Sequence, residues 1–320
     1  MGPALKNTFS WSVSRDNVLR ECPRKYWFNY YGHWGGWLRE APRREREIYV
    51  LKQLKNRATW IGQTVHDCIA RTLQNISRGV PVLGVDEILS ITRSVMRQDF
   101  RHSRSKRHWQ NPKQYCGLFE HEYEVEVSDE QWREAAEDVD HCLRTFYESE
   151  HFGRLRETPP AGFLEVERFS SIYLDGTELR IKLDCATREE ERIAIWDWKT
   201  GKKESDAGLS IQMGCYALYA RKTYAVRLGE VITRRFDLYR GVLYEEAPTE
   251  RSLDEILAYV KGSIADMLAL LENQEENRAE EERFAKVERR DVCFKCNFLK
   301  VCRPNLQISQ PPPPVPGRNS

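Results

Sequence analysis

The sequence predicts an α/β fold, in which a β-rich core spanning residues 161–245 is set among helices. Two observations predict it. Residues 45–160 carry mainly helical periodicity, and the pattern then changes to short strand-like runs between residues 163 and 198. Cys293, Cys296 and Cys302 cluster near one end of the chain, far from Cys22 in the N-terminal segment.

The elements follow in chain order. Residues 10–31 read as helical, with Ser12 or Ser14 able to cap the segment that runs through Leu19 to Tyr26. Residues 45–78 and 85–102 form further helices, interrupted near Gly79 and Pro81. Ser128 with Gln131 makes a capping box for a helix through Ser149. Residues 163–173, 178–184 and 192–198 read as three strands, separated by Asp175-Gly176 and by the charged run Arg188 to Arg192. A helix from about Leu209 to Thr223, a strand from Glu230 to Tyr239 and a helix from Ser252 towards Arg289 complete the set.

In domain terms this is one unit over residues 1–305. It comprises an N-terminal arm (1–44), a helical region (45–160), the core (161–245) and a C-terminal helix with the cysteines (246–305). The Pro-rich tail, 306–320, is expected to be disordered.

Composition narrows the function. The 320 residues are 40% hydrophobic and 31% charged, which suits a soluble globular protein. No stretch has the length of a membrane span and the N-terminus does not read as a signal peptide, so a cytoplasmic location without a membrane partner is the expectation. The net charge of +1 gives no global basic field, so attraction for nucleic acid has to come from local patches. Arg97, Arg101, Arg104, Lys106 and Arg107, interleaved with His102, His108 and Trp109, make one such patch unless they are simply a solvated helix end or mobile loop. Arg24-Lys25-Tyr26-Trp27 sets cations beside aromatics, suited either to a single strand or to a helix packing inward.

The chemistry concentrates in Ile193-Ala-Ile-Trp-Asp-Trp-Lys199, a strand apolar on both faces. Asp197 and Lys199 point to one face, about 6–7 Å apart along the strand, where a charge is costly unless compensated. Asp184 ends the preceding strand, and a hairpin brings it towards Asp197. Two such carboxylates suit Mg²⁺ or Mn²⁺, with Lys199 orienting water or neutralising charge on a phosphoryl group. An ordinary ion pair accounts for Asp197 and Lys199 as well.

Asp184 followed by Asp197-Trp-Lys199-Thr-Gly resembles the PD-(D/E)XK nuclease signature. Gly62-Gln-Thr-Val-His66 resembles the G-x-x-x-H helix of the RecB-like branch, Gln212-Met-Gly-Cys-Tyr216 its Q-x-x-x-Y motif, and Glu167 the acid carried one strand earlier. His66 taken alone also suits a satisfied core histidine. Leu183 and Cys185 flank Asp184 where the family often has glycine and arginine, which puts the local turn and substrate contacts in question.

The resemblance implies a restriction-endonuclease-like αβββαβ core and a metal-dependent DNA nuclease, with exonucleolytic action on single strands or DNA ends. It implies His66, Asp184, Asp197 and the backbone carbonyl of Trp198 as ligands of Mg or Mn. Lys199 would be the charge-stabilising group, and Gln212 and Tyr216 substrate-side supports.

Cys293-x-x-Cys296-x5-Cys302 supplies three thiolates, and Cys22 is the best remaining fourth. Composition leaves zinc and iron–sulfur open. The resemblance to the iron–sulfur branch, which includes AddB-type helicase–nucleases and CRISPR-adaptation exonucleases, implies a [4Fe–4S] cluster. Such ligands would tie the chain ends across a loop of about 270 residues, worth roughly 5 kcal/mol in closure entropy. Cys68, Cys116, Cys142, Cys185 and Cys215 read as core thiols.

No P-loop occurs, so any helicase motor is a separate protein, with residues 79–160 and the tail as interface candidates. Repair, recombination, phage defence and CRISPR adaptation all use this scaffold. A non-catalytic DNA-binding or assembly subunit is the alternative reading, and a zinc or redox module a third.

Overall fold

The computed structural model describes residues 6–202, 209–306 and 308, so the expected tail beyond residue 308 lies outside the described residues. The first helix, α1 (Val13–Glu21), is capped by Ser12, whose hydroxyl accepts from the Arg15 N–H at 3.2 Å. Cys22 is extended, and α2 (Pro23–Trp27) runs on into a π-helical turn over Phe28–Gly32. The single helix expected over 10–31 breaks here because Pro23 disfavours a helical residue before it and starts a new helix well.

Helices α3 (Arg43–Lys52), α4 (Arg57–Ser77), α5 (Val85–Arg104), α6 (Phe119–Glu122), α7 (Asp129–Tyr147) and α8 (Glu150–Glu157) follow. The helix expected over 45–78 is therefore two, with Asn56 capping the second. The capping box of Ser128 and Gln131 forms as read.

Strands β1 (Phe163–Val166), β2 (Phe169–Leu174), β3 (Thr177–Lys182), β4 (Cys185–Glu189) and β5 (Arg192–Lys199) lead into α9 (Ile211–Tyr224), β6 (Val231–Asp237) and β7 (Val242–Glu246). The chain continues through α10 (Glu250–Ala269) to the short α11 (Arg290–Cys293) and α12 (Leu299–Cys302). The main sheet has the order β1-β4-β5-β6-β7. β5 and β6 run parallel across the α9 crossover, and the other neighbours are antiparallel. The expected α–βββ–α–β core is thus present, with β2 and β3 inserted as a separate two-stranded ribbon.

Several expectations need correction. The strand expected over 163–173 is broken at Glu167, whose φ of 51° sends β1 and β2 into different sheets. The turn expected over Arg188 to Arg192 shrinks to Glu190 and Glu191, because β4 already reaches Glu189. β4, and not the expected 178–184 strand, is the hairpin partner of β5, with Cys185 opposite Trp196. Asp175 and Gly176 do turn the β2–β3 ribbon, both at positive φ, as a two-residue hairpin requires.

The helix expected from Ser252 to Arg289 stops at Ala269. Leu253, Ile256, Val260, Ile264 and Met267 bury its apolar face. Past Leu271 the helix-forming residues lack such a stripe, and the chain turns back with Asn273 bridging Arg278.

The sheet divides the core. Ala194, Trp196 and Trp198 of β5 face α4, α7 and α8, where Val65, Ile69 and Phe146 pack against them. Ile193 and Ile195 face α9, meeting Met213, Tyr216 and Ala217. Each large apolar side chain buried in this way stabilises the fold by about 1.5–3 kcal/mol.

The two ends of the chain meet on the α9 side. The Trp11 indole donates to Ser263 Oγ at 2.9 Å, and Asp16 accepts from the Tyr259 and Ser263 hydroxyls, both at 2.5 Å. Among the described residues no helix is long and apolar enough to cross a membrane.

Candidate active site

Four elements converge at one end of the sheet. α4 presents His66, and its Gly62 lies one turn earlier, where an added Cβ would come 3.2 Å from the Thr200 hydroxyl just past β5. That close approach accounts for the glycine four residues before the histidine. Asp184 occupies the β3–β4 junction, held by a Trp198 N–H donating to its Oδ2 at 2.8 Å. Glu167 sits at the β1–β2 break, its N–H donating to the Asp184 carbonyl at 3.1 Å.

His66 Nδ1 lies 3.4 Å from Asp184 Oδ1 and 3.7 Å from Glu167 Oε1. Ligating atoms of His66, Glu167 and Asp184 all fall within 4.8 Å of one another. Asp197 stands next to this group at 1% exposure, with Lys199 Nζ 2.8 Å from its Oδ2. That oxygen makes no hydrogen bond of good geometry.

The protonation pattern reports crowded negative charge. Burial pushes the Asp197 carboxyl up to about 6, Asp184 adds to the push, and Lys199 opposes it. Burial alone would depress the His66 imidazole, but Asp184, Glu167 and Asp197 together hold it up at about 10. The proton on His66 occupies the electrostatic place of a cation. An imidazole and clustered carboxylates, one with an unsatisfied buried oxygen, fit a divalent ion that takes hard oxygen and nitrogen donors.

Lys199 is positioned by a relay from α9. Its Nζ donates to Gln212 Oε1 at 3.0 Å, Gln212 Nε2 donates to the Tyr216 hydroxyl at 2.6 Å, and that hydroxyl donates to the Lys182 carbonyl at 2.8 Å. Gln212 and Tyr216 therefore brace the lysine and line a groove described below. Sequence reasoning missed Lys182 as part of this site. Its ammonium pairs with Glu167 and its carbonyl anchors Tyr216. Its position two residues before Asp184 was the available signal.

Cys22, Cys293, Cys296 and Cys302 line one small cavity with Lys25, Phe28 and Leu299. Burial pushes the Cys296 thiol up to about 12, and the neighbouring Cys22 and Cys302 add to it. Among the described residues these cysteines form no group of three with sulfurs within 4.8 Å. Of the five thiols read as core residues, Cys142, Cys185 and Cys215 are buried, and Cys68 and Cys116 only partly so.

Both surface patches read from the sequence change character. Tyr26 is fully buried, Trp27 donates to the Ala279 carbonyl at 2.9 Å, and Arg24 pairs with Glu281 at 2.7 Å. That segment packs the N-terminal arm inward. His108 and Trp109 both bond the buried Glu122 carboxylate, at 2.9 and 2.8 Å, so they leave the second patch.

The family model described as the PD-(D/E)XK nuclease superfamily matches residues 10–303. No curated protein matches the chain.

Proposed function

This chain belongs to the PD-(D/E)XK nuclease superfamily, and from that premise we propose that it is a Mg²⁺- or Mn²⁺-dependent deoxyribonuclease, acting exonucleolytically on single strands or DNA ends. The observation that carries this reading is the Asp197–Lys199 contact of 2.8 Å placed beside the His66, Glu167 and Asp184 group. An isolated ion pair needs no such group, and a core histidine needs no two carboxylates.

His66, Asp184, Asp197 and the Trp198 carbonyl would hold the metal, with Glu167 closing the side nearest Lys182. A divalent cation bound there supplies a more acidic water and neutralises charge on the phosphoryl group. Lys199 places an ammonium where the attacking oxygen approaches the phosphorus, and the Gln212–Tyr216 relay fixes its direction. In the hydrolysis one P–O bond to water forms and one P–O ester bond breaks.

The same reading assigns a [4Fe–4S] cluster to Cys22, Cys293, Cys296 and Cys302. Their shared cavity supports it, and so does the sequence spacing Cys293-x2-Cys296-x5-Cys302. The cluster joins the two ends of residues 1–305 into one working unit.

The test is digestion of end-labelled single- and double-stranded DNA with Mg²⁺ or Mn²⁺, comparing the native protein with Asp197→Ala. Cleavage by the native protein alone supports the site and reports end preference. No cleavage by iron-loaded native protein on any of these substrates sinks the enzymatic reading and favours a DNA-binding subunit. Iron and acid-labile sulfide analysis tests the cluster, and stoichiometric zinc without iron overturns it.

A further inference from the structure

The α9 relay opens into a groove of about 1050 Å³ that leads away from the carboxylates. One wall is the N-terminal arm and the other is the β2–β3 ribbon. Gln212, Tyr216 and Lys182 line it, so the groove is continuous with the side chains that position Lys199.

Its lining is cationic and aromatic. Arg15, Lys52 and Arg168 contribute positive charge, whereas Arg180 pairs with Glu178 at 3.1 Å and Lys182 with Glu167. On the arm side the Arg15 guanidinium lies 4.3 Å and the Lys52 ammonium 5.5 Å from the centre of the Tyr30 ring. Arg15 donates to the Ser10 carbonyl and Lys52 to the Asn29 carbonyl, neutral partners that leave both charges uncompensated. Burial and the repulsion of Arg15 and Lys113 push Lys52 down to about 8, with no carboxylate among the causes to offset them. Two cations held together in this way are unfavourable unless an anion joins them.

On the ribbon side Phe169 is 80% exposed, and the Lys182 ammonium sits 5.4 Å from its ring centre. Trp34, on the arm, is a further exposed aromatic lining residue. Exposed flat rings among cations match an unpaired strand, whose bases are free to stack while phosphates meet the charges. In a duplex those faces are already stacked on each other.

We propose that this groove is the lane for a single-stranded nucleic acid, with Arg15 and Lys52 flanking Tyr30 as a phosphate subsite and Phe169 and Trp34 as base platforms. The inference rests on the nuclease reading for its direction of travel. The phosphate subsite stands on its own geometry.

The experiment measures binding of a fluorescent oligothymidylate and of a matched blunt duplex to the full-length, iron-loaded protein in EDTA, by anisotropy across a salt series. The Arg15→Gln/Lys52→Gln double variant should bind the single strand about tenfold or more weakly. Its log–log salt slope should be shallower by roughly one, as loss of one or two phosphate contacts requires. The charge-retaining Lys52→Arg should bind like the native protein, which separates charge from folding. Phe169→Ala, at a position too exposed to affect folding, should cost about tenfold on the single strand and little on the duplex.

Native-like binding by both the double variant and Phe169→Ala overturns the lane. So does loss of strand binding confined to an Arg97→Gln/Arg101→Gln control on α5. Native protein that binds through the groove but cuts nothing defeats the nuclease reading and leaves the lane standing. Native protein that cuts, with groove variants that bind and cut equally well, defeats the lane and leaves the nuclease.

Discussion

His66, Glu167 and Asp184 reach one another from a long helix and from two strand junctions, all anchored in the main core. Cys22, Cys293, Cys296 and Cys302 instead come from opposite ends of the chain, and the C-terminal three sit in or beside helices of four residues. The oxygen-and-nitrogen site is built by packing that exists without it. The sulfur site lies on helices too short to be stable alone, which depend on tertiary contacts such as Phe298 with Phe28 and Leu51 and on whatever links the four sulfurs. Loss of a ligand should therefore cost activity in the first region and fold in the second.

The sharpest break in that contrast comes from Asp197→Asn, which should lower cleavage about a thousandfold or more. Its melting temperature should stay within a few degrees of native, because the buried carboxyl is already held up near 6 and loses little on becoming an amide. A variant that cuts normally, or one that unfolds, would remove the distinction. Lys199→Met should follow with a loss of about a hundredfold in single-turnover rate. Gln212→Ala, which only loosens that lysine, should cost about tenfold in the same assay.

Cys296→Ala probes the other region. If the tether is worth about 5 kcal/mol, its melting temperature should drop by about 10 °C in a chain of this size. Residual cleavage measured well below that temperature should stay within a few-fold of native. Unchanged melting would mean that the N-terminal arm is held by Asp16, Arg24 and their partners alone.

The smallest expected effect is in pH. Without metal, the raised His66 stabilises the fold fully below about 6.5 and loses that contribution as pH rises through about 10. The raised Asp197 does so fully below 3.8 and loses it as pH rises through about 6. A divalent cation replaces those protons, so the rise in melting temperature on adding Mg²⁺ should grow by a few degrees between pH 6 and pH 9. A rise independent of pH would place the cation away from His66 and Asp197.

Much of the first region was legible because its candidate residues sit in local spacings. Asp197-Trp-Lys199 lies on one apolar strand, Gly62 to His66 spans one helical turn, and Gln212 to Tyr216 another. The route by which Asp184 reaches Asp197 was not legible, because β4 is short, carries Arg188 and Glu189, and resembles a charged turn. The groove was invisible for a different reason. Arg15, Tyr30, Lys52 and Phe169 are joined only by the docking of the arm against the ribbon, and no local pattern links them. Arg24 to Trp27 read either as a nucleic-acid contact or as a helix packing inward, since composition does not distinguish an aromatic buried against Phe284 from one offered to solvent.

The Asp16 network also bears on how the chain is made. Asp16 and its partner Tyr259 are 243 residues apart. At typical translation rates of about 5–20 residues per second, the carboxylate waits roughly 12–50 s for the hydroxyls that satisfy it. Once the β2–β3 ribbon is made the arm can pair with it through Trp11, which exchanges backbone hydrogen bonds with Glu178 and Arg180 at 2.8 Å, but Asp16 still lacks its α10 partners and Cys22 its three companions. Arg15 and Lys52 are therefore made before the acids and Lys199, but the docking that holds the arm is completed last, when α10 supplies Tyr259 and Ser263.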